Sequence, residues 1–313
     1  MSKIAVLLFI LTAGNIFALG NKQAVPGPHL SEGGALLLEQ PETARAERVM
    51  KALAAAYPRQ IDKIEFHNND WAVLLRDTWY YYAEGKLLPE NLLENAATYS
   101  RQPFYNYPEE LPPWREPKPE EITRFREWDN MRKNSSSNRP LRSTHFFDDL
   151  WRVHNRDESS QRLQTFHFLG KSIYVHYLIL EELALVEEHI LAAAKTDPQV
   201  QSWIKNIDML HAWTWRNIAE SQNRSFHSYG LAIDILPKSL GGKETYWLWT
   251  ANSGTDWWDV PYNKRFHPPD AVIKAFEKFG FAWGGKWPQY DTMHFEYRPD
   301  ILILHGLPPE MRR

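Results

Sequence analysis

Residues 225–234 read SFHSYGLAID, and this segment decides how the second half of the chain folds. On an α-helix, His227 and Asp234 would stand about 10.5 Å apart along the axis, too far to bind one metal ion. On one straight strand, an offset of seven residues would send the two side chains to opposite faces. The segment therefore predicts a bend at Gly230 followed by a strand over 231–236.

Asp234 lies between apolar neighbours in this predicted strand. Strand alternation places Ile233 and Ile235 on one face and Asp234 on the other. A buried carboxylate without a partner costs several kcal/mol, so this position requires a cation or a hydrogen-bond donor. Zinc accepts two histidines and one carboxylate, and in catalytic sites it keeps a fourth position for water. His227 and Asp234 are therefore candidate metal ligands.

A second histidine for this site occurs in DTMHFEY, residues 291–297. His294 and Glu296 share one face of a strand there, so Glu296 can orient the histidine. Asp291 precedes His294 by three residues, and a turn between them can bring a carboxylate that is not a ligand beside the water. His294 is therefore a candidate second histidine ligand.

The pattern Ser-x-His-x-x-Gly-x-Ala-x-Asp is followed about sixty residues later by Asp-x-x-His-Phe-Glu. This pair of motifs resembles the zinc D-alanyl-D-alanine carboxypeptidase and L-alanyl-D-glutamate endopeptidase family, which includes the vancomycin-resistance D,D-peptidases. The resemblance covers roughly residues 165–304. It implies one zinc ion per chain held by His227, Asp234 and His294, Asp291 as general base and acid, and Ser225 as a substrate-binding hydroxyl.

The same family uses an upstream arginine to stabilise the oxyanion. Arg216 and Arg224 both precede His227, and their spacing does not decide between them. We assign Arg216 as the catalytic candidate and Arg224 as a substrate-binding candidate. Zinc fits the ligand types best, although iron, cobalt and nickel also accept two histidines and one carboxylate.

The resemblance also implies an α+β fold similar to the hedgehog signalling domain. In that fold an antiparallel sheet carries the metal site and helices pack on it, here over residues 165–313. Residues 21–164 are predicted to form a mostly helical N-terminal region of unknown role. Within it the sequence predicts a helix over 41–58, a short hairpin with its turn at 67–70, and a proline-rich loop over 103–119.

The first twenty residues, MSKIAVLLFILTAGNIFALG, are typical of a secretory signal peptide. They combine a positive charge at Lys3, an apolar run over 4–11 and small residues at Ala18 and Gly20. No later run approaches the roughly 20 apolar residues of a spanning helix. We therefore expect a periplasmic or secreted protein with no stable membrane insertion after cleavage; an anchor that stays uncleaved is the alternative.

Composition limits the possible partners of the chain. Its 313 residues are 43% hydrophobic and 24% charged, which is typical of a soluble globular protein with a sizeable core. The formal net charge of -3 gives no broad basic field, which disfavours nucleic acid as a partner. The sequence contains no cysteine, so no disulfide can form.

Together these features predict an exported zinc metallopeptidase that hydrolyses peptidoglycan stem peptides, as a carboxypeptidase or an endopeptidase. The alternative is a module of the same fold that binds the cell wall or signals without catalysis. The presence of Asp291 favours the enzyme. His211 is predicted to fill the core rather than line the cleft. The same prediction applies to the aromatic run Tyr246-Trp247-Leu248-Trp249 with Trp257-Trp258, for which a groove wall is the alternative.

Overall fold

The computed structural model describes residues 41–133 and 140–310, so the predicted signal peptide lies outside the described residues. None of the described helices is both long enough and apolar enough to cross a membrane. The helices are α1 (Glu42–Ala56), α2 (Pro119–Lys133), α3 (His145–Trp151), α4 (Arg156–Gln161), α5 (Leu180–Ala193), α6 (Pro198–Asn206), α7 (Trp247–Asn252), α8 (Asp270–Lys278) and α9 (Pro299–Leu304). The strands are β1 (Ile61–His67), β2 (Asp70–Leu75), β3 (Thr78–Tyr81), β4 (Leu88–Pro89), β5 (Tyr99–Ser100), β6 (Leu141–Arg142), β7 (Leu163–Phe168), β8 (Lys171–His176), β9 (Ile207–His211), β10 (Ala232–Pro237), β11 (Phe281–Trp283) and β12 (His294–Tyr297).

The first sheet is an antiparallel meander in the order β1-β2-β3-β4. Asn68 and Asn69 both have positive φ and join β1 to β2, because short polar side chains tolerate the left-handed region better than most. The predicted hairpin turn is confirmed. Helix α1 packs on this sheet and agrees with the predicted helix over 41–58.

The second sheet has the antiparallel order β11-β12-β10-β9 and carries the candidate site. In its register Asp234 of β10 lies opposite His211 of β9 on one side and His294 of β12 on the other. Helices and small antiparallel sheets together give an α+β fold, as predicted. The closer likeness to the hedgehog domain stays a prediction.

Buried side chains from both halves of the chain form one continuous core. The Tyr57 hydroxyl, just after α1, donates to the Asp300 carboxylate of α9 at 2.8 Å. Arg48 of α1 donates to the carbonyl of Leu304 at 3.2 Å. The residues before 165 therefore share a core with those after it, and the division into two domains at that point stays a prediction.

Helix α2 covers a group of tryptophans from the second half of the chain. Phe125 lies 5.6 Å from the Trp257 ring and 5.5 Å from the Trp258 ring, and all three side chains are buried. The prediction that Trp257 and Trp258 belong to the core is confirmed. For Trp249 of α7 the core prediction is wrong, since this side chain is 51% exposed.

His176 ends β8 in a fully buried position. Its Nε2 lies 3.1 Å from the carbonyl oxygen of Trp151, and its Nδ1 accepts from the amide of Leu178 at 3.2 Å. This pair of contacts is that of a neutral imidazole with its hydrogen on Nε2. Burial lowers the pKa of His176 to about 4.

We predict that His176 makes the protein acid-sensitive. In the unfolded chain His176 is protonated below about pH 6.5, whereas in the folded chain it stays neutral until the pH approaches 4. The free energy of unfolding therefore keeps its full value above pH 6.5 and decreases as the pH falls towards 4. Between pH 7.5 and 4.5 the loss from this group should be about 2 to 3 kcal/mol. Urea unfolding at both pH values should show a smaller pH dependence for His176→Gln than for the native protein; equal dependence would contradict the prediction.

Candidate metal centre

The bend predicted within residues 225–234 is present. Residues Phe226–Tyr229 form one turn of 3-10 helix, and the Ser225 hydroxyl accepts from the amide of His227 at 3.3 Å as its N-cap. Gly230 then adopts φ 71°. A Cβ at this position would lie 2.8 Å from the backbone nitrogen of His176, so the turn needs glycine on both conformational and steric grounds.

The turn directs His227 back over β10, where it meets two side chains of the second sheet. The His227 Nε2 lies 3.2 Å from the Asp234 Oδ1 and 3.3 Å from the His294 Nδ1. The Asp234 Oδ1 and the His294 Nδ1 are 2.9 Å apart. A tetrahedral zinc ion with bonds of about 2.0 Å separates its ligand atoms by about 3.3 Å, so this triangle has the size of one face of a zinc tetrahedron.

Each histidine is oriented by its second nitrogen. The His227 Nδ1 hydrogen-bonds to the carbonyl oxygen of Ala212, which leaves Nε2 to face the triangle. The His294 Nε2 lies 3.3 Å from the Glu296 Oε2, which leaves Nδ1 to face the triangle. Such outer contacts fix the tautomer and the ring angle of metal-binding histidines. The predicted orienting role of Glu296 therefore agrees with the geometry.

The electrostatics of the triangle favour a cation. Burial alone would raise the pKa of Asp234, but the charges and hydrogen bonds of His227 and His294 lower it well below its usual value. Burial opposes protonation of His294, yet hydrogen bonds to Asp234 and Glu296 raise its pKa to about 10. Two buried carboxylates thus hold positive charge at this point, and a metal ion binding there would displace protons.

Asp291 lies in the turn before His294. Its amide donates to the carbonyl of Gly284 at 3.0 Å, and its own carbonyl accepts from the amide of His294 at 3.2 Å. A Cβ at Gly284 would come within 2.5 Å of the Asp291 carbonyl oxygen, so the glycine permits this close approach. In the described part of the chain, the buried Asp291 Oδ1 has no hydrogen-bond partner.

The ionisation of Asp291 follows from its surroundings. Burial raises its pKa to about 7, with a further upward contribution from the negative charge of Asp234. His294 and Arg216 act in the opposite direction. A carboxylic acid that titrates near neutral pH beside a set of metal-binding donors is suited to general acid–base chemistry.

The two candidate arginines have different surroundings. Arg224 forms an ion pair with Asp148 and stacks over Trp215, 4.7 Å from the ring centre. Arg216 is exposed, its guanidinium lies 3.4 Å from the carbonyl oxygen of Asn217, and it acts electrostatically on Asp291. Arg216 is therefore the freer of the two near the site, while the guanidinium of Arg224 is held by a structural contact. Both line a cavity of about 340 Å³ beside the His227 turn.

His211 corrects the sequence prediction, because it lies at the site and not in the core. His211, His227 and Asp234 each place one potential metal-binding atom so that the three atoms lie within 4.8 Å of one another. The hydroxyl of Thr214 lies 2.9 Å from its Nε2. No local sequence signal predicts this placement, because it results from the pairing of β9 with β10.

Comparisons with known proteins bear on the same segment. Residues 219–297 match the model of a family described as D-alanyl-D-alanine carboxypeptidase. The match supports a peptidase. It includes the turn, β10 and β12, and therefore all three members of the donor triangle together with Asp291. Residues 49–104 match a family described only as a domain of unknown function. Comparison with curated proteins and with solved structures gave no match.

We predict that the protein binds one zinc ion at the triangle. His227→Ala removes one of the three donors. We therefore expect zinc affinity to fall at least about 100-fold, because Asp234 and His294 alone supply only two protein ligands. His211→Ala should change the affinity less than about tenfold, since this residue lies outside the triangle. Competition with a chromophoric chelator measures both. Equal losses in the two variants would contradict the assignment.

Proposed function

We propose that the protein is an exported zinc metallopeptidase that hydrolyses peptide bonds in peptidoglycan stem peptides. The observation that supports it most is the triangle of three donor atoms, 2.9 to 3.3 Å apart, beside a carboxylate oxygen that has no other partner among the described residues. The family match over residues 219–297 supports the same class of enzyme. The cleaved bond would be that of a D,D-carboxypeptidase or an L-Ala-D-Glu endopeptidase.

The donor chemistry of the site fits zinc. His227, Asp234 and His294 would hold the ion, and three protein ligands leave one position open. Zinc bound there would supply a Lewis acid for the peptide carbonyl and would lower the pKa of a water molecule. The chain supplies the orientation of the ligands through Ala212 and Glu296, so the donors do not have to rearrange when the ion enters.

Asp291 would act as the general base and then as the general acid. Its Oδ1 would accept a proton from the attacking water as the C–O bond forms. The same proton would pass to the amine nitrogen as the C–N bond breaks, which returns Asp291 to its starting state. A pKa near 7 allows both directions of transfer at neutral pH.

The remaining roles concern charge and substrate contact. Arg216 would stabilise the developing oxyanion, since its exposed guanidinium lines the cavity beside the His227 turn and acts electrostatically on Asp291. Ser225 accepts a backbone hydrogen bond and retains its own hydroxyl hydrogen, which it would donate to the substrate. Arg224 is the second proposed substrate contact, although its ion pair with Asp148 limits its reach.

The proposed partners are cell-wall peptides in the periplasm or outside the cell, and not nucleic acid.

A second candidate function follows from His211. Structural zinc sites are closed by four protein ligands, whereas catalytic sites keep one position open. If His211 supplied a fourth ligand together with the triangle, the protein would be a zinc-containing module that binds the cell wall or signals without catalysis. The Asp291 Oδ1 has no hydrogen-bond partner among the described residues. This favours the enzyme, because a structural zinc site with four protein ligands does not require a nearby proton acceptor.

Asp291→Asn tests the enzymatic proposal. The amide keeps the shape of the side chain but cannot carry the proton, so we expect kcat to fall by about 100-fold or more while zinc binding stays at one ion per chain. Asp256→Asn, an exposed carboxylate elsewhere in the second half, is the matched control and should retain full turnover. Native kcat in Asp291→Asn would remove this residue from the mechanism.

Digestion of purified peptidoglycan, with and without a chelator, separates the two functions. A mass spectrum of the products should show peptide fragments that disappear when the chelator is present, and their masses identify the bond that is cut. Intact peptidoglycan in the presence of fully zinc-loaded protein would favour the non-catalytic module.

A further inference from the structure

Glu296 is a buried carboxylate whose two oxygens have separate partners. Its Oε2 faces the His294 Nε2 at 3.3 Å, and its Oε1 accepts a hydrogen bond at 2.8 Å from the hydroxyl of Tyr105. The Arg298 Nη1 lies 3.8 Å from the same Oε1, too far for a hydrogen bond, while the Arg298 Nη2 donates to Asp300 at 2.8 Å. The short hydrogen bond that fixes the rotation of the Glu296 carboxylate is therefore the one from Tyr105.

Tyr105 is suited to be a permanent donor. Burial raises the pKa of Tyr105 well above its usual value, and the negative charge of Glu296 raises it further, so the phenol stays protonated. A hydrogen bond to a charged acceptor is roughly twice as strong as one between neutral groups.

A second contact links Tyr105 to the same histidine. The Tyr105 ring meets the ring of Trp287 edge-on, with centroids 5.2 Å apart. Trp287 in turn lies 5.3 Å from the ring of His294. The phenol hydroxyl thus acts on His294 through Glu296, and the phenol ring acts on it through Trp287.

The loop that carries Tyr105 is itself fixed. The Tyr105 carbonyl oxygen lies 2.9 Å from the His305 Nε2. Two residues further on, the hydroxyl of Tyr107 contacts Glu277 at 2.6 Å and accepts from the amide of Trp283 at 2.7 Å. The proline-rich loop is irregular in backbone, but its tyrosines are tied to the sheet that carries the metal centre.

Tyr105 lies outside both matched segments, residues 49–104 and residues 219–297. We propose that Tyr105 is a positioning residue of the metal centre, whose hydroxyl holds Glu296 and thereby fixes His294 as a ligand. The inference rests on the proposed zinc site. It gives the proline-rich loop a task in metal binding, in addition to covering the sheet.

Tyr105→Phe tests this directly, because it removes one oxygen atom and keeps the ring against Trp287. We expect zinc affinity, measured by chelator competition, to fall about tenfold or more, as it does when an outer partner of a ligand is lost. The visible spectrum of the cobalt-substituted protein should change as well. The value of kcat should fall while KM for a cell-wall peptide stays near the native value.

Tyr107→Phe is the matched control, since it removes a buried hydroxyl from the same loop that contacts Glu277 and not Glu296. Its zinc affinity and cobalt spectrum should stay native even if its melting temperature falls. Equal losses of affinity in the two variants, or native affinity in Tyr105→Phe, would overturn the inference. In a Glu296→Gln background, Tyr105→Phe should have little additional effect; full additivity would also count against it.

The outcomes separate this inference from the proposed function. If the native protein binds zinc but leaves peptidoglycan intact, the proposed peptidase function is contradicted. The zinc affinities of the variants would still test the positioning role of Tyr105. If the native protein hydrolyses peptidoglycan and Tyr105→Phe has native zinc affinity and kcat, only the positioning role of Tyr105 is contradicted.

Discussion

The buried carboxylate of Asp234 is the constraint on which the rest of the metal centre depends. It lies on β10, one of the two inner strands of the second sheet, and an unpaired charge there would cost several kcal/mol. The fold offsets this cost with His294 from the adjacent strand and His227 from the turn before β10. Because two of the three groups lie on paired strands, backbone hydrogen bonds set their separation, and the side chains need little freedom.

Local signals predicted much of the fold. Asp197 caps α6 by accepting from the amides of Gln199 and Val200, and an Asp-Pro pair of this kind is a helix-start signal that is legible in the sequence itself. The asparagine turn between β1 and β2 is similarly local. The antiparallel pair of β7 with β8 and the parallel pair of β5 with β6 were not predicted, because strand pairing depends on distant partners that a single sequence does not reveal.

The site divides in the same way. The bend that brings His227 to Asp234 could be predicted from their spacing and the two-residue period of strands, whereas the ligand role of His294 was implied by the resemblance to the peptidase family. His211 was missed because its approach to Asp234 is set by the register of β9 on β10. Tyr105 was missed for a stronger reason: it contacts Glu296 across 191 residues of chain, and nothing in the proline-rich loop marks one tyrosine over the next.

The contact between Tyr57 and Asp300 joins positions 243 residues apart in the sequence. Asp300 also anchors the fully buried Arg298, directly after the strand that carries His294. A segment transplanted from residues 219–297 alone would contain neither Arg298 nor Asp300, and it would lack α1 and Tyr57, so this whole buried cluster would be lost. The part of the chain that is stable on its own is therefore larger than the segment that carries the motif. Recombination at the borders of that segment would break buried contacts and destabilise the protein, even if the metal-binding residues were all retained.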